Sequence, residues 1–178
     1  MSRRDAMSSD ERASASARIA ERANELLETR VGRAGVLALY RSKGSEVDTT
    51  VIDSAARARG VVVVYPRVVD GEQALAFHRV TIDELVPSRF GLREPRTDAP
   101  RVDVRSIAAF VVPGLAFDRQ GARLGWGLGH YDATLVAAAE SALRLGLAFE
   151  CQLVEQLPHE AHDQLLHVII TEVATHVA

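Results

Sequence analysis

The sequence predicts an α/β fold, a three-layer α/β/α sandwich around a mainly parallel sheet, and three observations carry that prediction. Short runs such as Val61–Val64 and Ile107–Val112 are apolar at every position, which suits strands buried on both faces. Segments with helical spacing lie between those runs, so strands and helices alternate along the chain. A glycine-rich stretch, Gly125-Trp-Gly-Leu-Gly129, follows one of the runs and precedes an Ala/Leu-rich segment. It sits where parallel sheets bind ligands, beyond the carboxyl ends of their strands.

Composition bounds the rest. With 178 residues, 47% hydrophobic and 25% charged, the chain fits a single domain over residues 1–178 with a core large enough to enclose a site. A net charge of −3 offers no basic footprint, so no nucleic-acid partner is expected. No apolar run is long enough to cross a bilayer, and the N-terminus is charged where a signal peptide needs an apolar core. A cytoplasmic protein without a membrane partner, monomeric or weakly homo-oligomeric, is expected. One cysteine, Cys151, excludes an internal disulfide. Lys43 is the sole lysine against twenty arginines, so a phosphate site here must draw mainly on arginine, backbone amides and a metal.

In order along the chain, Ser8 and Glu11 have the spacing of a capping box. Ile19, Ala23, Leu26 and Leu27 then recur at helical spacing, giving a helix to about Thr29. Gly35–Tyr40 reads as the first buried strand. Asp48 is a candidate N-cap for a helix over Thr49–Arg59, which Gly60 closes before the strand Val61–Val64. Ala74–Val80 alternates as a half-buried strand does. Asp83–Arg105 has no periodicity and reads as a surface loop able to cover a site. Ile107–Val112 is the central strand, ending at Pro113-Gly114, with a turn at Asp118–Gly121 ahead of the glycines. Tyr131 to about Leu143 reads as helix, Arg144–Phe149 as strand, Gln152–His162 as irregular around Pro158, and His167–Thr171 as the last strand.

The glycine stretch allows two readings, a tight structural turn or a phosphate loop in which backbone N–H groups and a helix N-terminus face an anion. It lacks the Gly-Lys-Ser/Thr of a Walker loop, and His130 stands where a dinucleotide fingerprint needs its third glycine. Arg123 before it and Asp132 after it favour phosphate. Asp132 suits either a helix cap or a Mg²⁺ ligand, and Mg²⁺ typically takes one or two carboxylates with phosphate and water oxygens. Asp163 is a candidate second acid. His159-Glu160-x-His162 is one residue short of a His-Glu-x-x-His zinc helix, so zinc is not expected there. Glu46 lies on the rim after the first strand and Glu94 in the candidate covering loop; either alone also suits a solvated acid. Tyr40, Tyr65, Phe117, Trp126 and Tyr131 cluster at strand ends and in the loop, where they could face a planar ligand or fill the core. His130 is either a site residue or a polar group at a helix start.

From Arg3 onward the chain resembles the 5-formyltetrahydrofolate cyclo-ligase family, also called 5,10-methenyltetrahydrofolate synthetases. The most specific match is Pro113-Gly-Leu-Ala-Phe-Asp118 followed by Gly121-Ala-Arg-Leu-Gly-x-Gly-x-Gly-His-Tyr-Asp132. It is similar to the family's Pro-Gly-x-x-Phe-Asp and Gly-x-Arg-Leu-Gly-x-Gly-x-Gly-Tyr-Tyr-Asp. Ala6-Met-Ser-Ser-Asp-Glu-Arg12, Glu46-Val-Asp-Thr49, Tyr65-Pro-Arg67, Gly91-Leu-Arg-Glu-Pro95, Gln152-Leu-Val and His162-Asp163 support it in the same order.

The resemblance implies closure of 5-formyltetrahydrofolate to 5,10-methenyltetrahydrofolate with ATP and Mg²⁺, releasing ADP and phosphate. It implies that Arg123, Leu124, Gly125, Trp126, Gly127, Leu128, Gly129, His130 and Tyr131 bind ATP, with Arg123 and Tyr131 as the catalytic candidates. Arg41, Glu46, Trp126 and His130 would contact the folate, and Asp132 and Asp163 would hold Mg²⁺. Two departures stand out: His130 replaces the first tyrosine of the family pair, and the family's leading Lys-x-x-x-Arg phosphate segment has no counterpart because Met1 falls downstream of it. Arg3 and Arg4 are then the N-terminal candidates for ATP, and the alternative expectation is a weak or inactive folate- or nucleotide-binding relative. A sugar-phosphate or CoA-handling enzyme on a related sheet is a more distant reading.

Overall fold

The computed structural model describes residues 3–160 and 162–178. A short 3-10 turn, Arg3–Ala6, leads into α1 (Ser9–Arg30). The expected capping box forms: the Ser8 hydroxyl accepts the Glu11 N–H at 3.2 Å, and the Glu11 carboxylate accepts the Ser8 N–H at 2.8 Å. Ala15, Ile19, Ala23 and Leu27 face the core. There follow β1 (Val36–Ala38), α2 (Thr50–Ala58), β2 (Val62–Arg67), β3 (Ala76–Arg79), β4 (Val86–Pro87), β5 (Arg93–Glu94) and β6 (Arg101–Val102). The second half contains β7 (Ile107–Val112), β8 (Ala116–Phe117), β9 (Arg123–Leu124), α3 (His130–Ala137), β10 (Leu143–Leu147), β11 (Val168–Ile170) and β12 (Thr175–Val177).

Eight strands form the main sheet in the order β12-β11-β10-β7-β1-β2-β3-β6. The five from β11 to β2 run parallel, while β12 at one edge and β3 and β6 at the other pair antiparallel to their neighbours. Both faces are covered, which is why the strand interiors carry no polar alternation. Ile19, Leu27, Leu37, Val63, Val111 and Leu145 pack together on the side of α1 and α2. Val64, Phe77, Phe110, Val112, Leu135 and Ile169 pack on the side of α3, where Phe77 meets Phe110 edge to face at 5.6 Å. The predicted α/β/α sandwich is therefore the observed architecture.

Several local expectations differ. Asp48 lies one residue before the formal cap of α2, yet its carboxylate accepts the Thr50 N–H at 3.0 Å and so does the work of a cap. The third helix stops at Ala137 rather than near Leu143, because Leu143 is recruited into β10 opposite Ala109. An Ala/Leu-rich run cannot encode that choice; the sheet makes it. The stretch Asp83–Arg105 is not a plain loop. It contains the β4–β5 hairpin and supplies β6 to the sheet edge. Within it Glu94 is buried, accepting from the Ser88 hydroxyl and the Val68 N–H (3.2 Å) beside Arg67. Strand β12 follows what the sequence reads as the last strand, and pairs through only three residues.

Candidate functional site

Strand β1 leads on to β2 on one side, and its other neighbour β7 leads on to β10 on the opposite side, so the connections leaving β1 and β7 turn in opposite directions at a topological switch point, where open α/β sheets have their crevice. The loop after β1 is braced from within. The Tyr40 hydroxyl donates to the Val47 carbonyl at 3.0 Å, and the Thr49 hydroxyl donates to the Tyr40 carbonyl at 2.8 Å. Gly44 takes a left-handed conformation (φ +60°) at its tip, and the Lys43 N–H donates to Glu46 at 2.8 Å. Across the crevice, β7 ends at Pro113-Gly114. A Cβ on Gly114 would lie 2.6 Å from the Phe117 ring, so only glycine lets the chain leave β7 this close to β8. The Gly114 carbonyl accepts from Arg4 at 3.2 Å and from Gln152 at 3.1 Å.

Glu46 sits between these loops with Arg4 at 3.9 Å. Burial raises its pKa, opposed by the Lys43 N–H and by the charges of Arg4 and Lys43. Tyr131, at the start of α3, and Tyr40 feel the same carboxylate; burial first and Glu46 second hold both phenols well above their ordinary range, so each remains a neutral O–H. Tyr40, Glu46 and Tyr131 are thus brought together from three places in the sequence. Arg41 is half-buried nearby, with its guanidinium 3.4 Å from the Thr50 hydroxyl.

The glycine loop arrives on the β8–β9 hairpin. Asp118 is fully buried and closes the turn, accepting the Gln120 and Ala122 N–H groups at 3.0 Å and the Leu157 N–H at 2.8 Å. Arg123 is clamped rather than extended. It meets Asp132 at 2.7 Å and donates to the Gln164 carbonyl at 2.6 Å, while the Gln164 N–H reaches Asp132 at 2.9 Å. The loop beyond has left-handed Gly127 and Gly129, the latter forming the N-cap of α3. Leu124, Trp126 and Leu128 project into solvent, Trp126 with 74% of its surface exposed. Of the aromatic residues that could face a planar ligand, Trp126 is the open one. Tyr65 and Phe117 are core residues, Tyr65 donating to Asp53 at 2.9 Å.

Two residues that sequence reasoning missed hold this loop. The Gln73 side chain donates to the Leu128 carbonyl, its own carbonyl meets His130 Nδ1 at 2.7 Å, and the Thr134 hydroxyl accepts the Leu75 N–H at 2.9 Å. Nothing local marks Gln73, because its partners lie far along the chain. Asp163 accepts the Glu160 N–H at 2.8 Å and precedes Gln164, whose own N–H donates to Asp132. Arg3 is exposed, whereas Arg4 is buried against Gly114 and Glu46. Among the described residues, no three His, Cys, Asp or Glu side chains converge on one point. An ion held by Asp132 and Asp163 would need ligand and water oxygens to complete its shell.

Fold and topology define an open, mainly parallel α/β protein with a switch point between β1 and β7. The family model of 5-formyltetrahydrofolate cyclo-ligases matches residues 1–172, and the chain belongs to that family of ligases. It is 34% identical over 144 residues to the 5-formyltetrahydrofolate cyclo-ligase of Escherichia coli K12, covering 78% of each chain. The match to the Mycolicibacterium smegmatis relative is 40% over 88 residues, spanning 49% of this chain and 45% of that one. Among solved structures, it is similar to the 5,10-methenyltetrahydrofolate synthetase of Aquifex aeolicus, with a TM-score of 0.81 at 29% identity over 98% of this chain and 86% of that one. The synthetase of Mycoplasma pneumoniae, at 21% identity and TM-score 0.77 over 95% and 92% of the two chains, shares the fold.

Proposed function

We propose that this protein converts 5-formyltetrahydrofolate and ATP into 5,10-methenyltetrahydrofolate, ADP and phosphate. The observation that carries this reading is the meeting of a glycine loop with the Tyr40–Glu46–Tyr131 cluster at the switch point. A phosphate-sized anion fits the backbone of the loop and the N-terminus of α3. A donor-rich heterocycle fits Glu46, whose ionised carboxylate can only accept hydrogen bonds. The reaction needs the formyl oxygen turned into a leaving group. Phosphoryl transfer from ATP onto that oxygen lets N10 attack the formyl carbon, and phosphate then departs with the C–O bond. The protein's own task is to align the two substrates and neutralise charge.

Arg123 stiffens the base of the loop through Asp132 and Gln164, and Tyr131 keeps its proton beside Glu46. Asp132, whose Oδ1 takes Arg123 and the Gln164 N–H, and Asp163, whose Oδ2 takes the Glu160 N–H, would hold a Mg²⁺ ion through their other carboxylate oxygens, with phosphate and water completing its shell. Bound there, the ion supplies charge neutralisation at the phosphates. Arg41 and Trp126 line the folate side, with Trp126 offering a ring face. The test is the absorbance of the methenyl product when 5-formyltetrahydrofolate is supplied with and without ATP and Mg²⁺. Product formation only with both present is expected, and its absence at high enzyme concentration would overturn the assignment.

Glu46→Gln is expected to raise KM for the folate roughly tenfold or more, the size of one lost charge-assisted hydrogen bond, while KM for ATP stays within about twofold. The pH dependence gives a second readout. Because burial raises the Glu46 pKa, the wild-type protein should lose folate affinity as pH falls through a midpoint above the ordinary carboxylate range, and Glu46→Gln should flatten that profile. A change confined to KM for ATP would place Glu46 in the other subsite.

A further inference from the structure

We infer that Arg4 is a positioning residue that keeps Glu46 an ionised hydrogen-bond acceptor, and so sets the folate subsite's preference for the donor-bearing edge of its ring. This inference rests on the proposed folate reading for its functional half only; the coupling between Arg4 and Glu46 stands on geometry. The N-terminal 3-10 turn docks across the mouth of the crevice at three points. Asp5 accepts from the Ser45 hydroxyl in the loop after β1, Arg4 donates to Gly114 at the end of β7, and Met7 Sδ lies 3.8 Å from Cys151 Sγ after β10. Arg4 is thereby carried into the interior, with 6% of its surface exposed.

Its bonding there is incomplete. A guanidinium has five N–H donors, yet Nε of Arg4 is buried without a hydrogen-bond partner among the described residues, and the approach to Glu46 is 3.9 Å, too long for a hydrogen bond. An arginine retained only to brace the Gly114 carbonyl gains little from this arrangement, because Gln152 already donates to that oxygen. What the buried cation supplies is field. Among the described residues, the charges acting on Glu46 are the cations Arg4 and Lys43, the phenols Tyr40 and Tyr131 nearby are neutral, and the Asp5 carboxylate is held on the adjoining Ser45. Of the two cations, Arg4 is the buried one, where charge is least screened.

An ionised Glu46 accepts from ring amino and N–H groups; a protonated one offers a donor and selects the opposite edge. Arg4, hydrogen-bonded to Gly114 and facing Glu46 across 3.9 Å, ties the exit of β7 to the folate side rather than presenting charge to phosphate.

The decisive experiment follows the Glu46 carboxyl by carbon NMR through a pH titration of the free protein, with its signal assigned from Glu46→Gln. Arg4→Gln keeps an amide donor for Gly114 and removes the charge, and Arg4→Met removes both. Each should move the Glu46 midpoint upward by about one pH unit, as expected for loss of an opposite charge within 4–6 Å. Arg4→Lys should restore most of the wild-type midpoint. Gln152→Leu, which disturbs the same carbonyl, should lower the melting temperature and leave the midpoint in place. In turnover assays the pH profile of KM for folate should shift with the midpoint while KM for ATP holds within about twofold, the range of a site that has lost no phosphate contact. An unchanged midpoint in Arg4→Gln overturns the inference, as does a rise in KM for ATP alone. A wild-type protein with no turnover would defeat the proposed reaction and still leave the NMR result to decide the role of Arg4.

Discussion

Arg123→Ala is expected to reduce turnover below detection and to destabilise the fold by about 3 kcal/mol, the lower end of what breaking a buried ion pair costs. For a chain of this size that corresponds to a fall in melting temperature of roughly 6 to 12 °C. The reason is that the guanidinium serves three segments together. Its pair with Asp132 secures α3, its bond to the Gln164 carbonyl secures the stretch before β11, and its backbone lies in β9 at the root of the glycine loop. Removal strands a carboxylate that is itself mostly buried. The loop would then lose the fixed base that carries it. Differential scanning calorimetry and the methenyl assay check the two halves separately. A variant with wild-type turnover would show that the loop needs no such clamp. Arg123→Lys should keep much of the stability but not the geometry, because an ammonium cannot span Asp132 and Gln164 with a planar fork.

Gly121→Ala is expected to have a still larger effect on folding, leaving little soluble native protein. Gly121 has φ +90°, a region that side chains avoid, and a Cβ there would overlap the Leu166 carbonyl oxygen. Neither side can yield cheaply. Gly121 accepts the Leu166 N–H at 2.8 Å and donates to Asp118 at 3.2 Å, so the turn is bonded to both its own hairpin and the approach to β11. Backbone strain and lost hydrogen bonds together exceed about 3 kcal/mol, a large share of a domain's stability. Far-ultraviolet circular dichroism and expression yield give the readout; a cooperative melt near the wild-type temperature would contradict the argument. Gly125→Ala is the instructive contrast, since a Cβ there meets nothing within 4 Å and φ is not left-handed. That substitution should leave stability nearly unchanged.

The architecture was legible because it rests on local patterns. Runs such as Ile107–Val112 are apolar on both faces, and a strand of that kind has no stable home outside a covered, mainly parallel sheet. The capping box at Ser8 and Glu11 and the turn glycine at Gly60 act within a few residues of themselves, so they too could be read directly. The glycine loop and its flanking Arg123, Tyr131 and Asp132 were legible for the same reason, as one continuous stretch.

What only the tertiary structure decided is the set of contacts between distant segments. Glu46 reads in isolation like any rim acid; it becomes a site residue because β1 and β7 are neighbours and bring Tyr131 beside it. Gln73 and Thr134 carry no motif, and their bonds to the glycine loop and to Leu75 exist only once β3 lies beside α3. Arg4 reads in sequence as an N-terminal candidate for ATP, and folding buries it instead against the Gly114 carbonyl and the Glu46 carboxylate. The length of α3 was settled the same way: helix propensity favoured continuation past Ala137, but Leu143 gains more by entering a buried strand beside β7 than by extending a helix. Composition and periodicity determined the buried strands of the sheet's centre and the alternation of strand and helix. Long-range packing determined which charges are buried and paired and which stay open, since burial and pairing are properties of the folded neighbourhood and of no single residue.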